Sequence, residues 1–477
     1  MKLKALLQDV ELKDELKTNP EITNITDSTE KIRRSGAFVC IRGEKTDGHR
    51  YAHEALKRGA AVIICEYDIG IENSVIVSDT RKAYALMCAA FYGSCHKKLS
   101  MIGITGTNGK TTTSYILKKI LDDAGYRTGL IGTVSVIIGD EKYPADLTTP
   151  DPADLHRYLM LMNIAGCDVC IMEVSSQALI QQRVYGICFD CGIFTNLSSE
   201  HLDYHRTPEN YRQAKRILFE NSKSAVLNGD DACCDYMGRV CRGRTFTYGR
   251  TEADITAEKI KLSCEGVSYT LKTPEDEYPV SFEMMGEFNV YNSLAALSAA
   301  YLTGVNMDRA VRSVSRFEGI SGRMEKVPNN LGINIIIDFA HTPDSLECVL
   351  KTLRQVYGGR LITVFGCGGD RDREKRPIMG RTACEYSDKV FVTSDNSRTE
   401  KPEDIINEIT QGLESDKVFK ITDRTLALKS AVNSAKSGDT LLVAGKGHEK
   451  YQITGTQKIY FNEREILKKL LEDKARF

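Results

Sequence analysis

The chain has 477 residues, a hydrophobic fraction of 42%, and 64 basic against 65 acidic residues, for a net charge of −1. Charge so balanced and so closely mixed excludes a dedicated nucleic-acid or anionic-membrane surface, and no apolar run is long enough to span a bilayer. The N-terminus (MKLKALLQDVELKDELK) is charged throughout rather than built as a signal peptide, so a soluble, cytoplasmic protein of about three domains is expected, at roughly 150 residues per domain.

Residues 1–97 alternate strand signals (AFVCIRG, AAVIICE, SVIVSD) with helix signals (HRYAHEALKRG, KAYALMCAAFYGS), which predicts a small α/β domain. Cys65 in AVIICE is typical of the fifteen cysteines, several of which sit in apolar runs as small buried hydrophobes. Disulfides are not expected in such a chain. SCHKKLS, residues 94–100, reads as a linker.

Residues 98–322 make a second unit. It opens on an apolar strand (Met101, Ile102, Ile104), continues as GITGTNGKTTT over residues 103–113, and enters a helix-like segment, SYILKKILDDAG. Strand, glycine turn and helix form the context of a phosphate-binding loop. Gly106 and Gly109 free the backbone N–H groups of Thr107 and Asn108 to close on an anion. The helix starting at Lys110, Thr111 and Thr112 directs its positive end at the same place. Lys110 can reach the β/γ-phosphates and the Thr111 hydroxyl can ligate Mg²⁺. Ile104 stands where the general pattern has glycine, so the match is to a tighter variant, G-T-N-G-K-T. The plain alternative is a glycine turn followed by a surface lysine.

Further on, CDVCIMEVSS and CGIFTNLSS read as parallel strands ending in polar loops, where ligands of such sheets bind. Glu173 ends the first of them; an acid there can hold Mg²⁺, although a lone strand-end glutamate is more often an exposed loop residue. Cys167-x-x-Cys170 and Cys188-x-x-Cys191 have the spacing of a zinc ribbon, but they fall in runs that read as buried strands, whose side chains alternate faces. His201 and His205 are spaced i, i+4 without the glutamate of a metalloprotease motif between them. Lys215, on the predicted helix PENYRQAKRILFE, reads by pattern alone as a surface or snorkelling lysine. EKIKLSCEGVSYTLKTPEDEYPVSFEMMG looks like a small antiparallel insertion.

A boundary falls near SRFEGISGRMEKV. Residues 323–477 then alternate strands and helices again, as a doubly wound domain does. Within it FGCGGD lacks the full dinucleotide-binding spacing, and a charged run, RDREKR, follows where a helix start is wanted. Acids alternate with bases there, so the run reads as a solvated loop or an anion clamp.

These motifs are not independent. GTNGKTTT, TTPD (residues 148–151), MEVSSQALIQQRV, FTNLSSEHLDYH, Ala214-Lys215, GRMEKV, DFAHTPDSL, GCGGDRDREKRP, SDNSRTEKP and GKGHEKYQ occur in this order. Together they resemble the Mur ligase family over all three expected domains, and within it the branch that adds the third residue of the peptidoglycan stem peptide.

The resemblance implies an α/β protein of three parts: an N-terminal domain (1–97) for the UDP end of a UDP-N-acetylmuramoyl dipeptide, a central P-loop domain (98–322) for ATP, and a Rossmann-like C-terminal domain (323–477) for the incoming amino acid. It implies that ATP phosphorylates the D-glutamate side chain and that an amine displaces phosphate. Thr111 and Glu173 would serve one Mg²⁺ and His201 a second; Lys215 matches a lysine carbamylated by CO₂, which reverses its reading as a surface residue. Asp338 and His341 match a motif beside the nucleotide, and Lys446 lies in GKGHE. Thr26, Ser28, Glu44, Lys45 and Thr46 match the UDP contacts; Thr148, Thr149, Ser175, Gln181 and Arg183 match those to the muramoyl dipeptide. Arg371, Asp395, Asn396, Ser397, Arg398, Gly445 and Glu449 match the amino-acid pocket.

Arg398 bears on specificity. Diaminopimelate-adding members carry Asp-Asn-Pro-Arg, and lysine-adding members usually lack the arginine; a guanidinium can grip the distal carboxylate of meso-diaminopimelate. Diaminopimelate is therefore expected over lysine. Ser397 replaces the proline and is expected to loosen the loop. Gln177, Thr29 and Glu200 replace a histidine, an arginine and an aspartate of the family pattern. A monomer acting on small molecules is expected. The competing readings are use of lysine or another amino acid, a folylpolyglutamate-type ligase, which the UDP-end and TTPD matches disfavour, and a P-loop switch ATPase working through partners.

Overall fold

The structure, a computed structural model, describes the whole chain except residues 44, 45, 199, 201, 414, 476 and 477. Of the candidate site residues, Glu44, Lys45 and His201 therefore lie outside the described residues.

The N-terminal sheet contains β1 (Ile25–Thr26), β2 (Gly36–Val39), β3 (Ala60–Cys65) and β4 (Ser74–Ile76), all parallel and in that order. Val39, Val62 and Ile64 alternate onto one face, where Tyr84 and Met87 of the helix Thr80–Phe91 meet them. Asp79 caps that helix, accepting from Arg81 N and Lys82 N. The expected linker is a packed element: Cys95–Lys98 forms a 3₁₀ turn, Cys95, His96 and Leu99 are buried, and the His96 ring lies 5.5 Å from that of His156. Its apolar residues join the core of the second domain instead of spacing it from the first.

The central sheet contains β5 (Ser100–Thr105), β6 (Thr128–Ile131), β7 (Ser135–Ile138), β8 (Glu141–Pro144), β9 (Val169–Glu173), β10 (Cys191–Phe194), β11 (Ala225–Asn228), β12 (Thr245–Gly249), β13 (Ile255–Leu262), β14 (Val267–Lys272) and β15 (Glu277–Phe282). Their order is β15-β14-β13-β12-β11-β10-β5-β9-β6-β7-β8. The middle is parallel and both ends are antiparallel. The segment expected as an insertion is thus part of the main sheet, because β13 pairs in parallel with β12 through Tyr248↔Ile255. The helices Lys110–Asp123 and Glu287–Leu302 cover one face, and Pro152–Ile164 and Pro208–Glu220 contribute to the opposite core. Ile116, Leu117, Ile120 and Leu121 are all at most 1% exposed, worth about 1.5–3 kcal/mol each.

The C-terminal sheet contains β16 (Glu325–Lys326), β17 (Asn334–Asp338), β18 (Leu361–Phe365), β19 (Lys389–Val392), β20 (Val418–Lys420) and β21 (Thr440–Ala444), ordered β16-β17-β21-β18-β19-β20 and parallel except for β16. A hairpin, β22 (Tyr451–Thr454) and β23 (Gln457–Tyr460), follows. The loops after β17, β18, β19 and β21 leave the same edge of this sheet, the edge at which open α/β sheets take ligands. The charged run is not a solvated loop throughout: the helix Lys375–Tyr386 starts inside it, and the Arg376 side chain is fully buried. Among the described residues no helix is long and apolar enough to cross a membrane.

One buried ion pair closes the C-terminal domain. The Arg424 guanidinium bonds the Glu463 carboxylate at 2.6 Å and donates to the carbonyls of Ser394 (3.1 Å) and Ala444 (2.9 Å). It thereby ties the last helix, Glu463–Ala475, to the ends of β19 and β21. Replacing Arg424 by Met would strand the buried Glu463 carboxylate, so thermal or denaturant unfolding of the Arg424→Met variant should show a loss of about 3–5 kcal/mol. A loss below about 1 kcal/mol would contradict this account.

Candidate active site

The loop after β5 requires glycine at two places. Gly106 has φ 153° and Gly109 φ 86°; a Cβ on Gly106 would sit 1.8 Å from Thr195 Oγ1, and one on Gly109 2.3 Å from Asn292 Oδ1. Ile104, the departure from the general pattern, belongs to β5 and is fully buried. Asn108 and Asn196 are bonded reciprocally, Asn108 N donating to Asn196 Oδ1 (3.0 Å) and Asn196 Nδ2 to Asn108 O (3.1 Å). The Thr107 hydroxyl accepts from Ser198 N at 3.0 Å and lies 3.2 Å from Tyr211 Oη. Thr112 is buried in the first turn of the following helix.

Two lysine side chains meet on this loop. Lys110 Nζ donates to Gly106 O (2.7 Å) and Thr107 O (2.8 Å), and Lys215 Nζ donates to the same Gly106 O at 2.9 Å. Lys215 is 1% exposed, so the pattern-only reading of a surface lysine is wrong. Its helix buries Tyr211, Ala214, Leu218 and Phe219, and the helical period places position 215 on that inner face. Burial, and then the charge of Lys110, push the Lys215 amine well below its ordinary pKa, with Glu200 opposing.

Glu173 is likewise no exposed loop residue. Fully buried, it accepts from the Thr111 and Thr133 hydroxyls, each at 2.9 Å, and from Thr133 N at 3.1 Å. Around it lies the TTPD motif. Thr148 Oγ1 is 3.1 Å from Thr133 Oγ1; Thr149 Oγ1 donates to Glu173 O (2.8 Å) and accepts from Ser175 N (3.0 Å). Ser175 caps the helix Ser176–Ile180. Arg183 donates to Thr149 O (2.8 Å) and Gln181 Oε1 (2.8 Å), and Gln181 to Tyr204 Oη (3.1 Å). Ala153, just past the motif, packs into the N-terminal core. At the end of β1, Thr26 Oγ1 accepts from Ser28 N at 3.1 Å; Thr46 is exposed, its carbonyl accepting from Gly43 N. His205 is buried against Ser176 Oγ at 2.9 Å. Cys188 is exposed and lies outside β10, contrary to the buried-strand reading of that residue.

The C-terminal domain closes the other side. Asp338, buried at the end of β17, accepts from Met324 N and Ala340 N, both at 2.7 Å. Burial raises its carboxyl, and the neighbouring Arg323 opposes the rise. Arg323 donates to Thr111 Oγ1 at 3.3 Å and lies over the Phe339 ring at 4.7 Å. A cavity of ≈ 420 Å³ separates Gly109, Asn196 and Asn292 from Arg323, Asp338 and Cys348. Sequence reasoning missed Asn196, Asn292 and Arg323 as site residues. Arg323 lay in a motif already singled out (GRMEKV), while Asn292 sits in a helix with nothing to mark it.

A second cavity, ≈ 260 Å³, is lined by His341, Arg371, Asp395, Asn396, Arg398, Gly445 and Glu449. Glu200 of the central domain reaches it, 3.8 Å from His341 Nε2. Burial disfavours ionisation of Asp395, but Lys446 and Arg424 outweigh it and hold the carboxyl below the usual range. Lys446 Nζ bonds Glu449 Oε2 (3.0 Å) and Asn396 Oδ1 (3.2 Å), and Asn396 Nδ2 closes the triangle on Glu449 at 2.8 Å. Ser397 is the exception among the candidates: it lies beneath the cavity, 1% exposed, with its hydroxyl unpartnered. The loop it was expected to loosen is pinned. Arg398 N donates to Ile453 O (3.2 Å), Gly455 N to Arg398 O (2.7 Å), and Arg398 Nη1 to Gly369 O (2.7 Å).

Comparison with known proteins agrees with this arrangement. Three family profiles match in succession: "Mur ligase family, catalytic domain" over residues 21–91, "Mur ligase middle domain" over 104–300, and "Mur ligase, glutamate ligase domain" over 322–447. The UDP-N-acetylmuramoyl-L-alanyl-D-glutamate–2,6-diaminopimelate ligase 1 of Clostridium acetobutylicum is 43% identical over 482 residues, covering 99% of this chain and 100% of that protein. A solved structure of a ligase with the same substrate name is 31% identical with a TM-score of 0.71, covering 100% of this chain and 99% of that one. MurF of Thermotoga maritima, solved with ADP, shares the fold at 20% identity and a TM-score of 0.64, covering 95% of this chain and 98% of that one. With three profiles matched in succession and relatives matched from end to end, this chain belongs to the Mur ligase family.

Proposed function

We propose that the chain is an ATP-dependent amide ligase. It joins meso-2,6-diaminopimelate to the D-glutamate side-chain carboxylate of UDP-N-acetylmuramoyl-L-alanyl-D-glutamate, in the cytoplasm, during peptidoglycan precursor synthesis. The observation that carries the reading is that Glu200, which lines the pocket holding Arg371 and Arg398, also acts electrostatically on Lys110 and Lys215 at the phosphate loop. In this reading residues 1–97 hold the UDP end through Thr26, Ser28 and Thr46, with Glu44 and Lys45 in the same loop. Residues 98–322 hold ATP and the muramoyl dipeptide, and residues 323–477 hold the amino acid.

The chain's groups suit the ligands. The Gly106 and Gly109 positions leave space only for a backbone cradle, as a phosphate requires. Thr111 and Glu173 present hard oxygen donors at one point, which suits Mg²⁺. Among the described residues no three His, Cys, Asp or Glu side chains form a ready-made metal cluster. The remaining ligands in this reading are His201 and Lys215 as its carbamate. The neutral amine is the form that adds to CO₂, and burial beside Lys110 favours that form at Lys215: an N–C bond forms, a proton leaves, and an amine becomes an oxygen anion. Mg²⁺, when bound, offsets the repulsion between ATP and the carboxylate.

The glutamate carboxylate attacks the γ-phosphorus, ADP leaves, and an acyl phosphate results. The amine of diaminopimelate attacks the acyl carbon, phosphate departs, and the ammonium proton is lost. Lys110 and the loop amides stabilise the charge that builds on the transferred phosphoryl group. Asp395 and Glu449 present carboxylates to the ammonium end of the amino acid, with Asn396 orienting Glu449, and Arg371 and Arg398 present guanidinium groups to its carboxylates.

Phosphate release should require muramoyl dipeptide and amino acid together; release with neither would indicate a switch ATPase, and release with a folate substrate the other ligase class. Among acceptors, diaminopimelate should be preferred. Arg398→Ala should lower kcat/KM for diaminopimelate by about tenfold to a hundredfold, or ~1–3 kcal/mol, and leave that for lysine unchanged. Equal losses on both amino acids would remove Arg398 from its assigned role. In Lys215→Ala, synthesis should vanish and return on addition of short carboxylic acids, measured by tripeptide product; full activity without them would refute the carbamate.

A further inference from the structure

We propose that Arg376 sets the spacing of the two arginines in the amino-acid pocket and so acts as a positioning residue for acceptor selection. This proposal rests on the pocket assignment above. Arg371 and Arg398 come from different loops, residues 366–374 after β18 and 393–401 after β19. The second loop is pinned to the β22–β23 hairpin through Arg398 and Asn396, and ties between the two loops set the distance from it to the first.

Those ties converge on one guanidinium. Arg376 does not line the cavity, and its side chain is 0% exposed. Its fork bonds Glu400 twice, Nη1 to Oε2 and Nη2 to Oε1, both at 2.8 Å. Nη1 also bonds Glu408 Oε2 at 2.7 Å, and Nη2 donates to Gly368 O at 3.2 Å. Glu408 is shared with Arg373. Glu400 in turn accepts from Asp370 N at 2.6 Å. Arg376 therefore holds the first loop directly through Gly368 and indirectly through Glu400 and Asp370, while Glu400 belongs to the second. Asp370 adds a rung, its carboxylate accepting from Thr399 Oγ1 (2.5 Å) and Thr399 N (3.3 Å), and Gly369 N donates to Asn396 O at 2.9 Å.

The loops also need holding. Asp370 (φ 53°) and Arg398 (φ 50°) both adopt the left-handed conformation without being glycine. Such residues persist where their surroundings over-determine them. A planar guanidinium can serve two carboxylates and a carbonyl at once; a lysine ammonium lacks that fixed fork. The charged run that looked like surface is in this respect the frame of the pocket.

Steady-state kinetics of the full-length protein test the proposal. Arg376→Lys should raise KM for diaminopimelate by about tenfold, with kcat and the KM values for ATP and muramoyl dipeptide little changed. The preference for diaminopimelate over lysine should fall by a similar factor. Glu400→Gln and Thr399→Val, which keep side-chain size, should move the same constant in the same direction by less. An unchanged diaminopimelate KM in a variant that melts like the parent would overturn the proposal, as would a parallel rise of all three KM values. If Arg376→Lys fails to fold, the two milder variants decide by the same criteria. Failure of the underlying reading is seen separately, in the unmodified protein, as no phosphate release with diaminopimelate.

Discussion

Two lysine side chains share the carbonyl oxygen of Gly106, and the rest of the site follows from that crowding. In surroundings that solvate charge poorly, the charge on Lys110 disfavours a second charge on Lys215. Arg323 brings a guanidinium to the adjacent Thr111 hydroxyl. Backbone carbonyls and hydroxyls only partly offset this positive charge, and Glu173 stands close by to balance it. A site of this kind is incomplete by itself: an anion entering the loop relieves repulsion that the fold already sustains. The glycines belong to the same constraint, since Thr195 and Asn292 press against the loop and leave its amides little choice of direction.

Much of this was legible in the chain. The phosphate loop, the alternation of strands and helices, and the polar loops after parallel strands all rest on local pattern, and local pattern survives folding. Lys215 reads as a surface residue by pattern alone, and the family resemblance returns it to the site; its neighbours at positions 211, 214, 218 and 219 face inward, and it faces inward with them. What escapes is set by partners distant in sequence. Arg376 looked solvated because its run alternates in sign, whereas the acids that neutralise it, Glu400 and Glu408, lie beyond β19. The strands β13–β15 looked separate because antiparallel pairing is locally self-sufficient; the parallel contact with β12 that joins them to the main sheet leaves no mark in the pattern.

The two cavities divide the chemistry. The larger, between Gly109 and Asp338, has the size and mixed lining of a nucleoside site. The smaller is lined mostly by charged and amide groups, two of which, Asn396 and Glu449, bond one another and the buried Lys446. In that dense arrangement Lys446, Glu449 and Asn396 satisfy one another, while the arginines are presented from loops braced elsewhere. Side chains that are mutually saturated make a stiff floor, and stiffness lets a small difference in ligand shape be felt as a difference in binding.

The packed turn at residues 95–98 carries a mechanical implication. With Cys95, His96 and Leu99 folded into the second domain, and Ala153 reaching back into the first, the N-terminal two-thirds of the molecule offers little slack between its parts. In the function proposed above, a sugar nucleotide held by residues 1–97 would be registered against the phosphate loop like a workpiece against a fence. Where the last third of the chain begins the packing is as close, for a Cβ on Gly322 would meet the His448 backbone nitrogen at 2.1 Å.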